Sequence, residues 1–195
     1  GQILYRAAEM MEARRTDLAA AASGTLEVDA AIDRLVWYAG WADKLAQALG
    51  SANPVAGPYF NFTVPEPTGV VGILCPDEPP LQGIVTRIAP ALVAGNTVVA
   101  VASESHPVAA IELAEALAGV VNILTGQQAE LAPWLASHMD GNAIDVTGAN
   151  GDVAELERSA AENVKRVVRG TPDGESLWDI AAVVELKTVW HPIGR

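Results

Sequence analysis

The stretch Gly69–Val101, GVVGILCPDEPPLQGIVTRIAPALVAGNTVVAV, decides the fold. Val70–Leu74 is a nearly continuous β-branched run, the pattern of a strand buried on both faces. After Cys75 and a Pro-rich loop, Leu81–Val93 has the spacing of a helix, and Thr97–Val101 begins a second buried strand. The same rhythm then repeats. It predicts helices at Pro107–Leu117, Ala129–Ser137 and Val153–Ala161, and strands at Val120–Leu124, Ala143–Thr147 and Val164–Val168. Alternation of this kind specifies an α/β fold with a doubly wound, Rossmann-like parallel sheet. Pro107 suits a helix start, where its missing N–H has no partner to lose. Ala118-Gly119 leaves so little chain between helix and strand that a loop is expected to be missing there.

Upstream, apolar residues at helical spacing predict two long amphipathic helices, Ile3–Ala22 and Val28–Leu49, separated at Ser23-Gly24 and stopped by Gly50. Ser51–Tyr59 reads as a loop. Phe60–Glu66 alternates apolar and polar residues like an exposed edge strand, and with Val70–Leu74 it predicts a hairpin, Phe60–Leu74. Downstream, Gly170–Gly174 is turn-rich and Leu177–Ala181 has the length of a short helix. Ala182–Trp190 alternates like a strand that His191-Pro192 should end. The chain thus divides into helical residues 1–59, a sheet domain over 60–170, and a linker with a terminal strand over 171–195.

The 195 residues carry a net charge of −12, which disfavours nucleic acid and acidic membranes as partners. Cys75 is the sole cysteine, so no intrachain disulfide or cysteine metal cluster forms, and a reducing cytoplasm is the expected compartment. No apolar run approaches the roughly 20 residues of a membrane span. Asp77, Glu78 and His106 follow parallel strands, where ligands of such sheets usually bind, but solvated surface is the simpler reading of each. His138 is read as a helix-end cap, His191 and Arg14-Arg15 as surface, and the tryptophans as packing or interface anchors, Trp190 above all.

Glu66-Pro67-Thr68-Gly69-Val70-Val71-Gly72, Cys75-Pro76, and Ala89-Pro90-Ala91-Leu92 with Gly95-Asn96-Thr97-Val98-Val99 resemble the EPVGVVG…P and APAL…GNTVV segments of the aldehyde dehydrogenase superfamily. Trp37–Lys44, Val120-Val121-Asn122, Thr125-Gly126, Leu135–His138, Val146-Thr147-Gly148 and Val184–Val189 continue the resemblance in order. It implies a nicotinamide-cofactor fold, with Phe60–Leu74 and Ala182–Trp190 forming an oligomerisation flap.

The reactive positions of the family are mostly changed. The family's catalytic domain, with its nucleophilic cysteine, lies between the cofactor domain and the closing strand, where only Thr171–Asp179 stands here. Cys75, at the end of a buried strand, is read as packing. The P-W-N-F-P loop reads Pro76-Asp77-Glu78-Pro79-Pro80, which puts a carboxylate at Glu78 in place of the oxyanion-stabilising Asn. K-P-x-E becomes Val101-Ala102-Ser103-Glu104, without the Lys. In T-G-S-x-x-x-G, Ala149 replaces Ser and Val153 the last Gly. G-F-G reads Gly126-Gln127-Gln128, and the strand that in the family ends in the general-base E-L-G-G ends here in Arg169-Gly170-Thr171-Pro172, with Gly170 where that Glu would stand.

The resemblance therefore implies vestigial cofactor positions at Glu104, Gly126, Thr147 and Gly148, and no catalytic or metal-binding residue. It is similar to the inactive second module of two-module aldehyde dehydrogenases. The expected function is an inactive subunit or module that completes a catalytic aldehyde dehydrogenase subunit, or forms a homo-oligomer, through the flap. The alternatives are part of an active NAD(P)-dependent enzyme, or an NAD-sensing module that binds without turnover.

Overall fold

The β-branched runs that lead the sequence lie side by side, Val70 against Thr97 and Leu74 against Val101, in a parallel pair. The computed structural model describes residues 1–171 and 174–194; of the Gly170–Gly174 turn, Pro172 and Asp173 lie outside the described residues. The chain opens with helices α1 (Gln2–Ala13), α2 (Arg15–Ala21), α3 (Thr25–Ala39) and α4 (Leu45–Leu49), then strands β1 (Ser51–Asn53), β2 (Tyr59–Pro67) and β3 (Val70–Leu74). Next come α5 (Pro80–Val93), β4 (Thr97–Val101), α6 (Pro107–Ala116), β5 (Val121–Leu124), α7 (Gln128–Ser137) and β6 (Ala143–Asp145). Last are α8 (Val153–Ala161), β7 (Arg166–Val168), α9 (Leu177–Ala181) and β8 (Val184–Pro192). The parallel sheet has the order β5-β4-β3-β6-β7, and a separate antiparallel sheet has the order β1-β2-β8.

Side chains alternate across β3. Val71 and Ile73 join the larger core, built with Leu4, Leu35 and Tyr38 of the first helices and Ile84 and Ile88 of α5. Leu74 faces the other way, into a smaller core with Ile144, Ala136 and Leu156 under α7 and α8. No helix among the described residues is long and apolar enough to cross a membrane.

Several expectations change. Phe60–Leu74 is not a hairpin, because β2 pairs with β1 and β8 while β3 pairs with β4 and β6. Nor is β2 an edge: it is the middle strand, flanked by Ser51–Asn53, which the sequence presents as loop. The first helix breaks at Arg14 (φ −110°, ψ 21°), whose guanidinium turns to Glu112 and Glu115 of α6. The second stops at Gly40, where Lys44 Nζ donates to the Gly40 carbonyl. At Ala118-Gly119 the short connection closes as a turn: Gly119 at φ +92° lets Val120 and Val121 both donate to Leu117 O. Strand β8 runs on through His191 and Pro192.

Asn96 ties the two sheets together. Its Oδ1 accepts from Gly69 N (2.8 Å), and its Nδ2 donates to Ala91 O (3.0 Å) and to Val183 O (2.9 Å), the residue before β8. Asn96→Ala strands these groups and is expected to cost about 3 kcal/mol, read as a lower urea midpoint at unchanged slope.

Candidate functional site: the carboxyl ends of the parallel strands

Strand order reverses around β3, with β4 on one side and β6 on the other, so the crevice of this sheet opens at their carboxyl ends. Glu104, Gly126, Thr147 and Gly148 all stand on the loops there, but the crevice is filled by the chain itself. Gln128, 2% exposed, lies across it: Nε2 donates to Cys75 O (2.8 Å) and Gly148 O (3.0 Å), and Oε1 accepts from Asn150 N (3.2 Å). The Gln128 N–H donates to Glu104 Oε1 (2.5 Å), which also accepts from Asn150 Nδ2 (3.3 Å). Glu104 is therefore engaged within the protein. Gly148 packs so tightly that a Cβ would fall 2.2 Å from Pro76 N.

The head of α8 is closed in the same way. Asp152 caps it, Oδ1 accepting from Ala154 N (3.0 Å) and Glu155 N (3.3 Å), the amides a helix would otherwise offer an anion. A hollow of about 330 Å³ between α7 and α8 is lined by Ala129, Pro133, Asn150, Asp152, Glu155 and Leu156 among others. Its two carboxylates oppose a phosphate.

Asp77, Glu78 and His106 do not converge as a trio. Asp77 Oδ1 accepts from Ser103 Oγ (3.0 Å), Glu104 N (2.8 Å) and Ser105 N (3.4 Å), so it organises the loop after β4. Glu78 and His106 pair at the exposed rim, Oε1 to Nδ1 3.3 Å. Among the described residues, no group of three or more His, Cys, Asp or Glu side chains is placed to hold a metal. His138 does sit at the end of α7, where its Nδ1 accepts from Asp140 N (3.2 Å).

A buried ionic cluster escaped the sequence reading. Arg87 of α5, 3% exposed, donates from Nε to Asp145 Oδ2 (2.9 Å) and pairs through Nη1 with Asp179 Oδ2 (3.3 Å). Burial works against its charge, but Asp145 and Asp179 outweigh burial and hold the guanidinium above its usual range. Hydroxyls complete the cluster: Thr147 Oγ1 donates to Asp145 (2.5 Å) and accepts from Gly170 N (2.6 Å), while Thr171 Oγ1 donates to Asp179 (3.0 Å). A Cβ on Gly170 would stand 2.1 Å from Arg87 Cζ. Cys75 is fully buried, and burial pushes its thiol well above the usual range, so it presents no thiolate.

The family described as "Aldehyde dehydrogenase family" matches residues 1–172 of this chain. The chain belongs to the aldehyde dehydrogenase family. It is 34% identical over 185 residues to the "Aldehyde dehydrogenase, cytosolic 1" of Elephantulus edwardii, covering 86% of this chain and 36% of that protein. It is 37% identical over 185 residues to the "Retinal dehydrogenase 2" of Gallus gallus, covering 86% and 35%. Among solved structures, the NAD+ complex of an aldehyde dehydrogenase from Bacillus cereus superposes with a TM-score of 0.77 at 28% identity, over 85% of this chain and 36% of that one. A putative aldehyde dehydrogenase from Burkholderia cenocepacia gives 0.79 at 32% identity, over 86% and 37%. The chain thus spans about a third of the length of the relatives it matches. Where the resemblance puts the family's general base, at Gly170, this aldehyde dehydrogenase relative holds the Arg87 guanidinium.

Two outcomes follow from the cluster. Gly170→Ala forces a Cβ into that guanidinium and is expected to cost about 1–3 kcal/mol in unfolding free energy, as overpacking does. Tyr38, whose hydroxyl donates to Gly174 O (2.7 Å), has its pKa pushed up to about 12, by burial first and then by the Asp179 charge. The unfolded phenol ionises near 10. The contribution of neutral Tyr38 is therefore complete below about pH 10 and lost as pH rises toward 12. Alkaline unfolding curves should be flatter for Tyr38→Phe across that window.

Proposed function

We propose that this chain is a chemically inactive aldehyde-dehydrogenase-like module that assembles with a catalytic aldehyde dehydrogenase and completes it. The observation that carries the reading is the self-occupied crevice. Gln128 bridges the strand ends, Asp152 takes the amides at the head of α8, and Arg87 fills the space at Gly170. These residues do not fit a dinucleotide in the manner of the NAD+ complexes among the relatives. Its phosphates would have to displace the Asp152 carboxylate, and its ribose would find Glu104 already engaged. The chain's only cysteine is buried, so no thiol of its own is available to attack an aldehyde carbonyl. The closing strand nevertheless keeps its place in a sheet, with every residue of β8 after Val184 exposed. That sheet, β1-β2-β8, is the element offered for assembly. The reducing conditions of a cytoplasm suit its free thiol.

A second reading, NAD binding without turnover, would have to seat the dinucleotide in the hollow between α7 and α8 against the Asp152 and Glu155 carboxylates. NAD titrated into the isolated chain, followed by melting temperature, separates the two. No saturable shift is expected; a saturable rise would favour the second reading. Aldehyde-dependent NADH formation is then measured on the chain alone and in complex with a cysteine-bearing aldehyde dehydrogenase. Activity is expected in the complex only, and turnover by the chain alone would overturn the proposal.

A further inference from the structure

The loop between β6 and α8 is tied down as far as Asn150 and then runs free. Gly148 N donates to Leu74 O (3.1 Å), Ala149 N to Val146 O (3.1 Å) and Asn150 N to Gln128 Oε1 (3.2 Å). Among the described residues no group accepts from the Gly151 N–H. A Cβ at Gly151 would meet nothing within 4 Å, and Asn150 and Gly151 are both exposed. Asn150 is also the one asparagine of the sequence that a glycine follows.

Together these features favour an intramolecular reaction. An asparagine side-chain amide lies within reach of the next residue's nitrogen, and where that residue is glycine no Cβ screens the approach. We infer that Asn150-Gly151 is a self-modifying site: the Gly151 nitrogen displaces ammonia from the Asn150 side chain, and the carboxylate that results unlatches Glu104. The inference holds whether or not the chain assembles with a catalytic enzyme.

The step needs only water. Hydroxide takes the Gly151 N–H proton, the nitrogen bonds to Asn150 Cγ, and the Cγ–Nδ2 bond breaks, Nδ2 leaving as ammonia with a proton from water. The product is a succinimide ring. Water opens it at the side-chain carbonyl to give aspartate, or at the main-chain carbonyl to give isoaspartate, in which the chain continues through Cγ. One water is consumed, one ammonia is released, and a neutral amide becomes a carboxylate.

The consequence falls on the closed crevice. Asn150 Nδ2 donates to Glu104 Oε1 (3.3 Å), the oxygen that also accepts from the Gln128 N–H (2.5 Å). Aspartate at this position offers Glu104 only acceptors, and two carboxylates at such a distance repel. Isoaspartate lengthens the backbone just before Asp152, whose Oδ1 caps α8. Either product weakens the bonds that hold Gln128, Glu104 and the head of α8 together.

The test holds the folded chain in mildly alkaline buffer at physiological temperature for days and follows it by ion exchange and peptide mass mapping. An acidic species modified at residue 150 is expected, with isoaspartate in excess of aspartate. Gly151→Ala, which the open space there accommodates, should slow its formation about tenfold by setting a Cβ beside the attacking nitrogen. The separated acidic species and Asn150→Asp should each melt below the parent chain. In a Glu104→Gln background Asn150→Asp should change the melting temperature little, because the opposing charge is gone. A folded chain that stays unmodified at 150 overturns the inference, and conversion of the same residues in urea would then assign the protection to the loop. A product that is aspartate alone, or a Gly151→Ala rate equal to that of the wild type, overturns it as well. An acidic species that melts with the parent overturns the unlatching of Glu104.

Discussion

One guanidinium decides much of this structure. Arg87 enters the protein on an otherwise uncharged helix, and a buried charge without partners costs several kcal/mol, so the fold must bring carboxylates to it. Asp145 arrives on β6 and Asp179 on α9, both from far downstream in the chain. Two carboxylates leave more lone pairs than one guanidinium can satisfy. Thr147, Thr171 and the backbone N–H groups of the same residues take up the remainder. This is why Thr171 and α9, which leads into β8, are held together at Asp179 beside Arg87 of α5. The same packing leaves no room for a side chain at residue 170. The bare backbone at Gly170 and the return of the chain to β8 are thus parts of one packing arrangement around Arg87.

The strands of the parallel sheet were legible because β-branched runs have few alternatives: β3 and β4 fall where Val70–Leu74 and Thr97–Val101 place them. Pairing was less legible. Phe60–Glu66 and Val70–Leu74 are separated by only three residues, which reads as a hairpin, yet Gly69 at φ +131° carries the chain from one sheet into another. Local pattern gives the strand but not its partner, since that choice depends on β8, more than a hundred residues away. Helix ends failed for a related reason: the breaks at Arg14 and Gly40 are fixed by a tertiary ion pair and a local lysine contact, not by periodicity.

The site was half legible. Substitutions at Gln128, Val153 and Gly170 stood out as departures, and the structure adds what the replacements do. Gln128 is a bridge with four hydrogen bonds counting its own N–H, not merely a missing glycine. Asp152 carried a signal, an acid directly before a helical pattern, whose consequence for anion binding went unread. Arg87 carried one too, as a lone cation in Ile84–Val93. A charge inside such a run demands compensation somewhere, though its distance in sequence hid Asp179.

Electrostatics connects the closed crevice to the open edge. A chain with a net charge of −12 repels its copies and acidic partners at long range. Salt confines that repulsion to about 8 Å at physiological ionic strength, so what matters at contact is the charge of the touching strip. Along β8 the charges are mixed: Glu185 is held by Arg166, and Lys187 pairs with Glu66 across the sheet. The exposed strip therefore presents backbone donors and acceptors, apolar Leu186 and Trp190, and little net charge of its own. The crevice is the reverse, with Glu104, Asp152 and Glu155 gathered at the carboxyl ends of the strands and the head of α8. Carboxylates therefore gather at the carboxyl ends of the parallel strands, while the exposed strip of β8 stays close to neutral.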